Sequence, residues 1–569
     1  MTSRQPVEII PLGLPQPGNA LARSTQDGVT IFGHPYVDHV PITHSPLASE
    51  IVSNPSRYAR SLDGEFCVVV ETPDQLLLIS DRYVSLPLFY AAQGDKFAFS
   101  FSYTDLWNWL RTKGILRPDK FAFYEFLKFQ KLFGERTFDK SSKLLPPATV
   151  LTFDKNTRKI TKNKYWSPSF EKQSGSISDI AAGLAEAVKH SVAAKSRGFN
   201  DVGLLLSGGM DSRVVLGGFD QANPPNTFTV GTGETLEVMV AQELAMAAGA
   251  PHHFLLRNPN HYANILPTAA ALGGSMYSYQ HGHFFDFTLP IQTDLLMHGH
   301  GLDYMFQGMY LPARRRSFMG RQTNNYRLTP PVSVVDEYLV SAKYMLKGID
   351  PENLLRQELI TNARESIRDS IDGQAREIQD TAVDTYDVWD YLTFGWPGRH
   401  YTNLNLLSAG TLASQQTVAW DNAIFDQFYA TPADIRFGTQ LLAETTQILR
   451  PELLKVRNAN TNLSPKLTGT GLTLANWKRS LLRRTRLSRP DIREIQVGSW
   501  PRDNQILRES ETLSERARQL SISAPLLDLE LFDQQALKRL VGQFESGHDH
   551  LGSVILTMLT IDTFLSAAP

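Results

Sequence analysis

The stretch DVGLLLSGGMDSRVVLGGF, Asp201 to Phe219, contains a strand, a turn and a helix in immediate succession. The run from Val202 is apolar, too short for a helix and bounded by turn formers, which reads as a buried strand ending at Leu206. Ser207, Gly208 and Gly209 follow, with little side chain to cover their backbone N–H groups. A helix is expected to start near Asp211, so its N-terminus faces the same point. Free backbone donors at the positive end of a helix dipole make an anion site. The phosphate loop of kinases and GTPases is excluded, because the lysine of GxxxxGK[ST] is missing.

Outward from this stretch the alternation continues. PNTFTVGTG reads as a second strand, LEVMVAQELAMAAGA as a second helix and HHFLLR as a third strand. Strands alternating with helices imply a parallel sheet with ligands at the strand C-termini. Upstream, ISDIAAGLAEAVKHSVAAK has helical spacing. Beyond about Ser317 the chain reads as largely helical. A basic run, WKRSLLRRTRLSRP (Trp477–Pro490), reads first as a solvated helix face and second as a dock for an anionic substrate or leader segment.

The texture before residue 168 is different. EFCVVVE, QLLLISD, LPLFYAA, KFAFSFS and ATVLTFD are short apolar runs parted by turn signals, a β pattern. One helix is expected near Asp119–Phe133. Two domains are expected, 1–168 and 175–569, which suits a chain of 569 residues. Hydrophobic residues make up 42% and charged residues 20%, with a net charge of −2, arguing against a general nucleic-acid or membrane binder. One cysteine, Cys67, excludes an intrachain disulfide framework. No signal core and no bilayer-length apolar run is visible, so a cytoplasmic protein is expected.

A second stretch, LLMHGHGLDYMFQG (Leu295–Gly308), reads as another strand entering a Gly-rich loop, with His298 and His300 on it. Together with the first it carries a family resemblance. SGGMDS resembles the SGGxDS pyrophosphatase loop of enzymes that cleave ATP to AMP and pyrophosphate. LDGEFCVVVETPDQLLLISDRYVSLPLFYA resembles the asparagine synthetase segment at Gly64, Phe66, Asp81, Arg82, Pro87, Leu88 and Tyr90. Leu145, Pro146, Pro147, Tyr165 and Trp166 match that family's closing pattern, and VAWDNAIFDQFYATPADIR a later one. Gly299, Gly301, Asp303, Phe306 and Gly308 keep their places in the second loop, whereas His298, His300 and Tyr304 replace a serine and two glutamates. The resemblance runs over roughly residues 30–440.

The resemblance implies an α/β protein. An Ntn-hydrolase-like α+β sandwich, a degenerate glutaminase, would precede an ATP-pyrophosphatase parallel-sheet domain of the adenine nucleotide alpha hydrolase kind, with a helical extension. It implies ATP and Mg²⁺ as cofactors. ATP would lie over Leu206, Ser207, Gly208, Gly209, Asp211 and Ser212, with Val230 and Gly231 on the nucleoside side and His298 and Gly299 opposite. Asp211 and Asp303 would hold magnesium, which prefers carboxylate oxygens. The family's late-loop lysine has no clean match; Lys455 is the candidate, ahead of Lys466 and Arg457.

The departures matter as much. Glutamine-using members expose an N-terminal cysteine; here Thr2 stands second, a residue that serves as such a nucleophile in other enzymes, but TSRQPVEII lacks the Gly-Ile strand that places it, and Cys67 reads as a small core hydrophobe. A glutamine-independent ligase is expected, similar to beta-lactam synthetases, lasso-peptide macrolactam synthetases or homologues associated with surface polysaccharides. It would adenylate a small-molecule or peptide carboxylate and pass the acyl group to an amine. An ammonia-dependent asparagine synthetase and a nucleotide-binding pseudoenzyme in a biosynthetic cluster are the alternatives. A homodimer and a protein partner from the same biosynthetic cluster are further expectations. His298 and His300 read either as hydrogen-bond donors to phosphate or substrate carboxylate, His300 being catalytic, or as half of a transition-metal site with His281 and His283. With ordinary imidazole pKa values they would make activity pH-dependent near neutrality.

Overall fold

The computed structural model describes residues 8–13, 24–42, 46–274, 276–318, 321–467, 471, 474–475, 478 and 500–567. Two antiparallel-rich sheets form the first layers. The larger runs in the order Ile160–Lys164, Thr149–Asp154, Gln75–Ser80, Asp63–Glu71, Val29–Val37 and Ser24–Gln26. The smaller contains Glu8–Pro11, Lys96–Ser100, Phe89–Gln93 and Ser142–Leu144.

The pleat sorts their side chains. Along Asp63–Glu71, Cys67 and Val69 point into the core shared with Tyr90, Phe97 and Phe99 of the smaller sheet. Phe66, Val68 and Val70 point the other way, onto Ile51, Ala59 and Leu62. Successive residues on one strand therefore serve opposite faces, and Cys67 is a core residue as read from sequence.

The second half is built on a five-stranded parallel sheet ordered His252–Leu256, Asn226–Gly231, Val202–Leu205, Leu295–His298, Ser414–Thr417. The chain starts at the central strand, moves outward twice, then returns to the other side. Between Val202–Leu205 and Leu295–His298 the direction of winding reverses, and a crevice opens at the C-terminal ends. The helix before the sheet, Ile177–Ser196, starts at a reciprocal cap between Ser176 and Asp179.

The two halves are not separate cores. Helices Tyr103–Thr112 and Lys120–Phe129 join the hydrophobic core that also contains the C-terminal helix Gly552–Ser566, with Trp107 and Phe564 rings 5.3 Å apart. The expected helix near Asp119–Phe133 is Lys120–Phe129, capped by Asp119.

The stretch after Ser317 is less uniformly helical than its sequence suggests. The strand Arg321–Leu328 pairs back onto Ala313–Phe318 as an antiparallel hairpin. Ser414–Thr417 is a fully buried strand although its sequence, SQQT, is entirely polar. The basic run Trp477–Pro490 lies almost wholly outside the described residues. Among the described residues no helix is long and apolar enough to cross a membrane.

Candidate active site

A cavity of about 340 Å³ occupies the crevice. Leu206, Ser207, Asp211, Ser212 and Val230 line one side; His298, Gly299, His300, Asp303 and Tyr304 line the other. Eight loop and strand-end positions named from sequence thus meet across the gap between the two central strands, together with Leu206 and Val230 beneath them. The other named glycines act from behind. Gly208 packs so closely on the next loop that a Cβ would lie 2.4 Å from that of Ala459. Gly231 ends its strand against Val238 and Phe254. Gly209 lies in the turn, its N–H donating to Ser207 Oγ at 3.3 Å.

The first loop is held by its own atoms. The N–H of Ser207 donates to Ser212 Oγ (3.0 Å), and the Ser212 hydroxyl donates to the Ser207 carbonyl (3.1 Å). The helix Asp211–Gly218 begins at once, so the turn, the hydroxyls and the helix N-terminus share one location. Arg213, buried behind it, donates to the carbonyls of Leu453, Val456 and Arg457 and ties down the late loop.

Gly299 joins the halves. A Cβ there would stand 2.6 Å from the Asp211 carbonyl carbon and 2.7 Å from the Ser212 nitrogen. Only a residue without a side chain lets the two loops approach this closely. Asp211 and Asp303 consequently face one cavity. Burial raises the Asp211 carboxyl to about 7, with a hydrogen bond from Gln307 Nε2 (2.7 Å) opposing the shift. Burial, then the neighbouring Asp211, pushes Asp303 well above the ordinary carboxylate range. Two half-buried carboxylates that form no salt bridge among the described residues suit a divalent cation, and hard oxygen donors suit magnesium. Among the described residues no group of three or more His, Cys, Asp or Glu side chains could hold a metal. Other ligands of a bound ion would therefore come from phosphate oxygens and water.

The histidines differ from their sequence reading. Burial is the leading cause that lowers His298 to about 4 and His300 to about 3. Both are neutral at physiological pH, so the expected imidazole titration near neutrality is not supported by their surroundings. They are also engaged separately. His298 Nε2 lies 2.6 Å from Gln415 Oε1. His300 Nε2 lies 3.2 Å from the Thr402 hydroxyl, which also meets His400 Nδ1 (2.7 Å) and the Tyr304 hydroxyl (3.2 Å). His283 stacks on Trp500 at 3.9 Å and its Nδ1 meets the Tyr262 hydroxyl at 3.0 Å. The four-histidine metal site is not assembled among the described residues.

Lys455 is not brought to the cavity. It is exposed at the end of the turn Pro451–Lys455. The late loop touches the phosphate side at Ala459, whose N–H donates to the Gly208 carbonyl at 3.0 Å. Lys466 is exposed too, and Arg457 pairs with Glu243 at 2.8 Å. Sequence reasoning missed Gln307, Thr402, Gln415 and Glu65. Gln307 and Glu65 lay within quoted motifs without being singled out; Thr402 and Gln415 sit in stretches with no local signature.

Comparison with known proteins agrees with this geometry. Residues 183–434 match the family described as asparagine synthase. Those residues include all five strands of the parallel sheet and the cavity lining except Trp500. Over 214 residues the chain is 26% identical to asparagine synthetase [glutamine-hydrolyzing] 1 of Bacillus subtilis (strain 168). That alignment covers 37% of this chain and 33% of the relative, so the chain spans about a third of the length of the curated protein it matches.

Proposed function

From the premise that residues 183–434 are asparagine-synthetase-like, we propose that the chain is an ATP-dependent carbon–nitrogen ligase that works without hydrolysing glutamine. The observation that carries the reading is the meeting of two half-buried carboxylates, Asp211 and Asp303, beside an anion-binding turn at the point where the sheet reverses.

ATP would lie with its phosphates over Ser207–Ser212 and its nucleoside toward Val230. Asp211 and Asp303 would hold Mg²⁺, which would supply charge neutralisation for the phosphates when bound. An oxygen of the substrate carboxylate attacks the α-phosphorus, and the bond to the bridging oxygen of pyrophosphate breaks. An amine nitrogen then attacks the acyl carbon of the adenylate. The C–O bond to AMP breaks and the amine loses a proton. The chain's contribution is positioning and a fixed polar environment. Neutral His300, held by Thr402, offers hydrogen bonding at this point without adding charge beside two carboxylates.

Glutamine independence is supported by Cys67. Attack on glutamine by a cysteine needs an accessible thiolate. The one cysteine of this chain is fully buried, and burial pushes its thiol far above the ordinary range.

The test is nucleotide product analysis with a panel of carboxylates and amines, one arm containing aspartate and ammonium. The reading expects AMP and pyrophosphate in equal amounts with an amide, and no glutamate from glutamine. ADP and phosphate as products, or glutamate release that stops on Thr2→Ala or on Cys67→Ser, contradicts it. Turnover confined to aspartate and ammonium assigns the ammonia-dependent synthetase instead.

A further inference from the structure

The polar strand Ser414–Thr417 carries a buried hydrogen-bond chain from the first β layers into the cavity. Glu65, on the strand Asp63–Glu71, is 4% exposed. Its Oε1 accepts from the backbone N–H of Thr417 (2.5 Å) and lies 3.8 Å from Lys195 Nζ. Its Oε2 accepts from Gln415 Nε2 at 3.0 Å. Lys195 also donates to the Trp420 carbonyl at 2.9 Å. Burial raises the Glu65 carboxyl to about 7, opposed by Lys195, the Thr417 N–H and Gln415; once ionised it accepts hydrogen bonds and donates none. Gln415 must therefore turn its amide nitrogen toward Glu65 and its amide oxygen toward His298.

That orientation decides the proton on the imidazole. His298 Nε2, 2.6 Å from the amide oxygen, has to be the N–H donor. A neutral imidazole carries one such proton, so Nδ1 is left with a bare lone pair. Nδ1 is buried and has no hydrogen-bond partner, and the side chain lines the cavity.

We infer that Glu65, acting through Gln415, fixes His298 in its Nε2–H tautomer and so makes Nδ1 an acceptor for a ligand O–H or N–H. This rests on the reading of the cavity as the nucleotide and acyl-transfer site. It replaces the expectation that His298 donates to phosphate, because a lone pair facing a phosphate oxygen is repelled. A sugar hydroxyl or exocyclic amine of the nucleotide, or the N–H of an amine substrate, has the matching chemistry. Glu65 and Gln415 are then positioning residues, and the first β layers hold part of the synthetase site in register.

The test is solid-state ¹⁵N spectroscopy of the full chain labelled at histidine, with His298→Asn to assign the signals. The wild type is expected to show the Nε2–H tautomer. In Glu65→Gln the side chain keeps its oxygen on Thr417 and presents an amide nitrogen to Gln415. Gln415 then reverses, and His298 changes to the Nδ1–H tautomer. Gln415→Met leaves Glu65 with Lys195 and Thr417, and removes the tautomer preference. An Nδ1–H tautomer in the wild type, or one tautomer in all three proteins, overturns the inference. MgATP, then methylamine added to it, identifies the donor: a shift of unprotonated Nδ1 with the first assigns the nucleotide, with the second the amine. Protonation of Nδ1, or no response to either, overturns its ligand-facing role. The tautomer is read in the free protein, so it stands or falls separately from ligase turnover.

Discussion

The two walls of the cavity are made by opposite means. The wall at Ser207–Ser212 is local: a turn, two hydroxyls and a helix N-terminus within six consecutive positions bond to one another. The wall at His298–Tyr304 depends on distant partners, with His298 bonded to Gln415 and His300 and Tyr304 to Thr402. The first wall rests mainly on its own sequence, backed at Gly208 by Ala459 and at Asp211 by Gln307, whereas the second fails when any of its remote partners is lost. In the proposed function the first wall would bind the anion and the second would contact the rest of the ligand.

Gly299 is where the two walls touch, and its substitution has the largest expected effect. Gly299→Ala places a methyl group 2.6 Å from the Asp211 carbonyl carbon, a backbone atom that cannot swing aside. Overpacking of this kind costs about 1–3 kcal/mol, and displacing the loop lowers turnover by roughly 100-fold. Urea denaturation midpoints and steady-state rates check both; wild-type values would show that the walls need not meet this closely.

The second wall is tested by His300→Asn. Loss of a neutral hydrogen-bonding group should lower kcat by about tenfold. The shape of the pH profile between pH 5 and 8 should stay the same. The sign follows from burial: an imidazole lowered to about 3 is already neutral at pH 5 and gains no proton until the solution is far more acidic. A profile limb near pH 6.5 that disappears in the variant would contradict the burial argument.

The smallest effect is expected at Lys455. It is exposed and off the cavity, and surface substitutions of this kind change little. Lys455→Ala should keep kcat/KM within about twofold of wild type. A hundredfold loss would mean that the late loop closes over the phosphates during turnover and completes the first wall with this lysine.

The same contrast explains what could be read in the sequence. The strand–turn–helix from Val202 to Gly218 was legible because hydrophobicity, glycine placement and helical spacing agree within a single stretch. The antiparallel strands before residue 168 were legible for a similar reason. Ser414–Thr417 was not, because hydrophobic periodicity cannot mark a strand without hydrophobic residues. Its burial is possible only because distant partners satisfy it: Ser414 meets His34, Gln415 lies between Glu65 and His298, and Gln416 donates to the Lys195 carbonyl. The histidines were visible as residues, but their neutral state was not, since burial is a property of the folded surroundings. The resemblance at the late loop identified the segment without identifying which side chain reaches the site.

The central claim is that this crevice binds magnesium–ATP through both walls at once, and calorimetric titration of the free protein tests it without knowing the substrate. The account predicts one MgATP per chain, with affinity falling by more than about tenfold when magnesium is chelated or when either carboxylate is neutralised, as in Asp211→Asn or Asp303→Asn. Equal affinity for ATP in the wild type, in both variants and in the presence of chelator would contradict it.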